Sequence, residues 1–139
     1  MAPGGLVNSD GTPINPQATG RCLAIYGEGE AAGFDNYATE PQYVDGTRVQ
    51  GRPLTQTLPD NVASDFSLRD APFSDATAAE IQRLAQPGAR LTFANADVDN
   101  FPQTVQQLQG QLPGARIIEE GTGTDSQGIE RGFVVFQLP

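Results

Sequence analysis

The stretch "EIQRLAQPGARLTF", Glu80 to Phe93, changes character in its middle. Its first half spaces Ile81 and Leu84 three apart, as one face of a helix does. Just ahead, Thr77 and Glu80 form T-x-x-E, a pattern in which a hydroxyl and a carboxylate satisfy the first N–H groups of a helix. Pro87-Gly88 then stops the helix, because proline cannot continue it and glycine accepts the turn that follows. The residues after the turn, Arg90–Ala94, read as a strand. The tetrapeptide Pro-Gly-Ala-Arg recurs in "GQLPGARIIEE" (110–120), again between a helical pattern and an apolar run. That helix begins near Asp99 or Asn100, tolerates Pro102 in its first turn, and carries Phe101, Val105, Leu108 and Leu112 as one stripe. Two successive helix-to-strand returns are how an α/β sheet is wound.

Working outward, strands are expected at Cys22–Tyr26, Gln42–Asp45, Val62–Leu68, Arg116–Glu119 and Gly132–Leu138. Several are continuous apolar runs, which suits strands covered on both faces as in parallel sheets. "GTGTDSQG" reads as the loop of a closing antiparallel hairpin between the last two strands, and a short helix is expected around Ala31–Tyr37. Residues 1–20, rich in Gly, Pro, Asn and Ser, read as a linker or arm, leaving one domain over 21–139. A chain of 139 residues can bury about 70% of its unfolded surface, so neither metal nor disulfide is needed to hold it.

Composition removes several chemistries. A net charge of −9 disfavours sequence-independent binding to nucleic acid, which needs clustered cations. With no histidine, an imidazole base and the usual zinc sites are excluded. Cys22 is the only cysteine, so there is no internal disulfide; within an apolar run it reads as a small core residue. No run of apolar residues is long enough to span a membrane, and no signal peptide is evident. All eight cations are arginine. A GC-rich genome explains that, and so does a translocated effector that offers no amine to ubiquitination.

The order of elements resembles the class I S-adenosylmethionine-dependent methyltransferase fold. Gly27-Glu28-Gly29 falls where that family has its Gly-x-Gly loop after the first strand, and Asp45 in "QYVDG" where an acid ends the second. "EIQRLAQPGARLTF" is similar to the segment linking the family's fourth helix and fifth strand, and "ARIIEE…GFVVFQL" to its closing hairpin. The resemblance implies a small Rossmann-like sheet, mostly parallel with a C-terminal antiparallel hairpin. Because the span from Gly29 to Asn61 is short, the N-terminal half is expected to be truncated. "GEGEAAGFD" (27–35) also resembles the degenerate methyltransferase-like domains at the C-termini of Rhs-type polymorphic toxins. That implies an effector carried by a larger secreted protein, acting in a target-cell cytoplasm, with a cognate immunity protein as partner.

The candidate site residues follow. Gly27 and Gly29 let backbone N–H groups approach a ligand, or simply make a tight turn. Asp45 could accept from ribose hydroxyls, or serve the turn chemistry of Asp-Gly. Glu28 and Glu30 could raise one another's pKa and act as a base or attract a sulfonium; otherwise they are a solvated acidic loop. "RDAPF" (69–73) is similar to the Asp-Pro-Pro-aromatic motif of amino-group methyltransferases, which implies that Asp70 orients an acceptor amine and Phe73 stacks on its ring. Against that stands a plain proline turn before a capped helix. Asp65, on the cofactor side, and Arg69, on the substrate side, are further candidates near the same strand end. S-adenosylmethionine is the expected cofactor. An NAD-consuming or ADP-ribosyltransferase toxin, and a binding module that has lost its cofactor, are the alternatives.

Overall fold

The computed structural model describes residues 17–25, 34–37, 43–44, 47–48, 58–70, 73–124 and 128–139. Its centre is a six-stranded sheet. In chain order the strands are β1 (Arg21–Ile25), β2 (Asp35–Tyr37), β5 (Ala63–Arg69), β6 (Ala85–Asn95), β7 (Arg116–Thr124) and β8 (Glu130–Gln137). Across the sheet they lie β2-β1-β5-β6-β8-β7. β1 runs parallel to β2 and β5, and β5 parallel to β6. β8 enters antiparallel between β6 and β7. The expected mostly parallel α/β sheet with a closing hairpin is therefore the observed one.

Helix α1 (Asp75–Leu84) links β5 to β6, and α2 (Phe101–Gln111) links β6 to β7. Both crossovers move the same way across the sheet, so right-handed connections put both helices on one face. The core agrees: Ala78, Ile81 and Leu84 of α1 and Phe101, Val105 and Leu108 of α2 share one cluster with Leu23, Ile25, Phe66, Leu68, Leu91, Phe93, Val134 and Phe136. Fully burying side chains such as Ile81 or Leu84 stabilises by roughly 1.5–3 kcal/mol each. On the opposite face, alternation along β5, β6 and β8 presents Asp65, Ser67 and Arg69, then Arg90 and Thr92, then Arg131, with a small apolar patch of Ala94, Phe133 and Val135. β5 is thus buried on both faces but apolar on one only.

Four local expectations need correction. α1 begins earlier than T-x-x-E suggests. Its N-cap is Ser74, whose hydroxyl accepts from the Thr77 N–H at 3.1 Å, while Glu80 turns to Arg83. Thr77 is fully buried and its own hydroxyl pairs with that of Ser74, so it cannot cap a later start. Of the helix expected at 31–37, residues 31–33 lie outside the described residues and 35–37 form strand β2 instead, whose short run pairs with β1 from Leu23↔Asp35 to Ile25↔Tyr37. The second strand of the sheet is therefore not 42–45. There, β3 (Tyr43–Val44) pairs instead with β4 (Thr47–Arg48) in a separate two-stranded ribbon.

Finally, the two Pro-Gly-Ala-Arg segments differ. After α2, Pro113-Gly114 makes a turn before β7. After α1, the strand begins at once at Ala85, and Pro87-Gly88 lies in an irregularity where pairing with β5 jumps from Ala63↔Ala85 to Asp65↔Arg90. Both glycines take a positive φ, 79° at Gly88 and 83° at Gly114, which proline at the preceding position and glycine at the next suit best.

Candidate functional site

The order of strands reverses between β1 and β5: the chain steps from β1 outward to β2, then resumes on the other side with β5. In open α/β sheets the ligand crevice lies outside the carboxyl ends of the strands at this point. Here that edge is formed by the ends of β1 at Ile25 and β5 at Arg69. Gly27, Glu28, Gly29 and Glu30, which come after β1 in sequence, lie outside the described residues, as does Asp45.

Asp70 follows β5 directly with φ of 51°, a left-handed conformation that aspartate tolerates better than most residues. Its N–H donates to the Ala94 carbonyl at 2.9 Å, and its Oδ1 accepts from the Ala96 N–H at 3.0 Å. Its Oδ2 accepts from Arg131 Nη1 in an ion pair. Arg131 is only 2% exposed. Asp70 therefore reaches over the end of β6 to β8 and staples three strand ends together. Its chemistry is first that of a counter-ion, because an isolated buried guanidinium is costly. The sequence carried a signal for this partner: an arginine heading the apolar run "RGFVVF" can be buried only if it is paired.

Phe73 goes the other way. Its ring packs edge-on to Phe93, with centroids 6.2 Å apart at 64°, on the face that carries the helices. Asp70 and Phe73 of "RDAPF" thus diverge toward opposite faces and do not converge on one acceptor position. Asp65 is not at the strand end either. It pairs with Cys22 and Arg90 early in β5, about 13 Å from Arg69 at the usual rise of a strand. Asp65 is buried and accepts from the Ser64 hydroxyl, whose oxygen accepts from the Gly20 N–H. Arg69 is half-buried on the polar face with its Nε inaccessible to solvent.

Two clefts flank α2, away from the ends of β1. One, about 390 Å³, lies between the start of α2 and the β7–β8 hairpin and is bounded by Val98, Phe101, Pro102, Thr122 and Gly132. The other, about 220 Å³, lies between the loop after β5 and the flank of α2, with Phe73, Phe93, Asn95, Thr104 and Gln111 among its walls. Among the described residues no cluster of three or more His, Cys, Asp or Glu could hold a metal, and no helix is long and apolar enough to cross a membrane.

A separate polar cluster ties the β2 side to α1. The Tyr37 hydroxyl donates to Glu80 Oε2 at 3.0 Å, and Arg83 donates to Glu80, to Asp60 and to the Leu58 carbonyl. Hydrogen bonding from Arg83 holds the Glu80 carboxyl below the usual glutamate range, despite partial burial. Burial, then the bond to Glu80, pushes the Tyr37 phenol up. The bonds to Glu80 and Asp60 push the Arg83 guanidinium further up.

The same architecture occurs in solved proteins. The fold is similar to 1,6-didemethyltoxoflavin-N1-methyltransferase from Burkholderia thailandensis, solved with 1,6-didemethyltoxoflavin and S-adenosylhomocysteine, at a TM-score of 0.54 and 10% identity over 86% of this chain and 71% of that one. It is also similar to a SAM-dependent methyltransferase from Aquifex aeolicus, at a TM-score of 0.58 and 14% identity over 97% of this chain and 85% of that one. No protein-family model matches the sequence, and no curated protein matches it.

Proposed function

We propose that the chain binds S-adenosylmethionine at the β1/β5 edge and transfers its methyl group. The observation that carries this reading is the reversal of strand order between β1 and β5, within a fold shared with methyltransferases. The residues available suit the group in three respects. The parallel strands β1 and β5 end on one edge. Gly27 and Gly29 follow β1 directly in sequence, where their lack of side chains lets backbone N–H groups come close to a ligand. The acid excess of the chain, with Glu28 and Glu30 beside those glycines, favours a cationic sulfonium.

The bound cofactor would supply an electrophilic methyl on a positively charged sulfur. The chain's part is to hold and orient. Gly27 and Gly29 would approach the cofactor, whereas Asp45 loses its expected ribose role, because the strand beside β1 is Asp35–Tyr37 and the 43–44 segment belongs to a separate ribbon. Asp70 acts as a positioning residue that keeps the ends of β5, β6 and β8 in register, through Ala96 and Arg131. Asp65, remote from the strand end, drops out of the site.

The test is incorporation of tritium from methyl-labelled S-adenosylmethionine into fractionated cell extract. Label entering one fraction, and lost in Gly27→Arg with an unchanged melting curve, supports methyl transfer. No label in any fraction, from protein that still binds the cofactor, would favour a binding module instead. A role as a toxin domain delivered by a larger carrier is a finer reading, motivated by the lysine-free acidic composition and "GEGEAAGFD". It predicts growth arrest on intracellular expression, relieved by Gly27→Arg and by a cognate immunity protein.

A further inference from the structure

We infer that the outer edge of β7, with the cleft beside it, is a docking site for an extended basic peptide segment that adds to the sheet as a further strand. β5, β6 and β8 lie between this edge and β1, so the inference does not depend on methyl transfer.

The edge is built like one that can take a strand. β7 ends the sheet, and among the described residues no strand pairs with its outer side. It is 9 residues long and mostly exposed, whereas β2 at the opposite edge has 3. An edge strand presents a row of unpaired backbone N–H and C=O groups, which an extended peptide can satisfy. Neither proline nor lysine, the usual guards of such an edge, interrupts β7. Its pairing with β8 shifts between Ile117 and Glu119. At that shift Ile118 stands 43% exposed, apolar surface that a neighbouring strand would cover.

The partner's chemistry is read from the two faces of the edge. Glu120 pairs with Val134 and Thr122 with Gly132. Val134 belongs to the core under the helices and Gly132 abuts the Phe101 ring, so this pair of β7 residues stands on the helical face. There they border the cleft of about 390 Å³ together with Val98 and Pro102. Every second side chain of an added strand would stand on that same face, beside the cleft, which favours apolar residues at alternate positions. Glu119 pairs with Val135 on the other face, so each face of the edge carries an exposed carboxylate. Arg116, the only cation of β7, is engaged by Gln137. Opposite charges on neighbouring strands attract, and like charges directly opposite repel. A second copy, itself at −9, would bring its own Glu119 and Glu120 to the same seam. A basic segment is instead drawn to it.

The test uses three peptides: acetyl-(Lys-Val)₄-amide, acetyl-(Glu-Val)₄-amide, and the lysine peptide methylated at every backbone nitrogen, which cannot donate to a neighbouring strand. Binding is followed through the amide resonances and amide hydrogen exchange of the ¹⁵N-labelled full chain, which also report folding. The expected result is saturable shifts and slowed exchange along β7 with the lysine peptide, at least tenfold tighter than with either of the others. Glu119→Arg combined with Glu120→Arg, both at exposed positions, should turn the preference to the glutamate peptide while the rest of the spectrum holds. Four results would overturn the inference: no saturable shift along β7 with the lysine peptide, equal affinity for the glutamate peptide, equal affinity for the methylated analogue, or a preference unmoved by the double substitution. Exchange along β7 that slows with protein concentration alone would also overturn it, by making a second copy the partner.

Discussion

Asp70 holds three things at once: a left-handed backbone, the Ala96 N–H and the buried Arg131. Removing its carboxylate takes a charged partner from the buried guanidinium. Breaking a buried pair costs about 3–5 kcal/mol, and the partial exposure of Asp70 puts Asp70→Ala at or below the lower end of that range. Asp70→Gly loses the same carboxylate but relieves the positive φ, so it should stand roughly 1 kcal/mol above Asp70→Ala in urea denaturation. Equal stability of the two would mean that the backbone is not strained there. Asp70 was legible in the sequence as a special residue at a strand end. That Arg131 needs a counter-ion was legible too, but not that Asp70 supplies it, because the two lie 61 positions apart and only the strand order brings them near. The same holds for Gln111, an unremarkable helical glutamine until it meets Phe73 and Asp75.

At the scale of elements, the caps and close approaches decide. Ser74 should be worth about 1 kcal/mol to α1 as its N-cap, so Ser74→Ala lowers the unfolding free energy from denaturant melts by that amount while Glu80→Ala leaves the cap itself intact. Gly132 lets α2 sit on the sheet: a Cβ there would lie 2.5 Å from Cγ of the Phe101 ring. Gly132→Ala should therefore cost about 1–3 kcal/mol, as overpacking does, and should cost less in a Phe101→Ala chain, where the clashing Cγ and Cδ2 are gone. α2 and its stripe were readable because a period near 3.6 over three turns has no competing explanation. The start of α1 was misread because two overlapping patterns, S-x-x-T and T-x-x-E, lie three residues apart. Burial of Thr77, a tertiary property, chose between them. β2 was missed for a related reason: three residues carry too little periodicity to announce a strand, and it is identified only by its pairing with β1.

For the whole molecule, the Tyr37–Glu80–Arg83–Asp60 cluster joins the β2 side to the helical side, and its ionisation gives stability a pH dependence. Glu80 titrates lower in the folded state than in the unfolded chain, so its contribution is complete above the ordinary glutamate range and is lost as pH falls through the depressed value. Tyr37 titrates higher when folded, so its contribution holds below the ordinary tyrosine range and is lost as pH rises through the raised value. Thermal melts should show Glu80→Gln less stable than wild type at neutral pH, with the gap closing in acid. A gap constant from pH 7 to 3 would contradict the assignment. The sheet order was foreshadowed by two helix-to-strand returns and a hairpin, which is why the architecture could be read at all. The N-terminal half was harder to read, since short strands and glycine-rich segments leave many pairings open until the sheet selects one.

The central claim is that this sheet still serves a cofactor at the β1/β5 edge. Titration calorimetry of the full chain with S-adenosylmethionine, S-adenosylhomocysteine and NAD tests it most directly. The account predicts micromolar binding of the first two, lost in Gly27→Arg at unchanged melting temperature, and no heat with NAD. Binding of NAD alone, or silence from all three ligands with the folded protein, would contradict it.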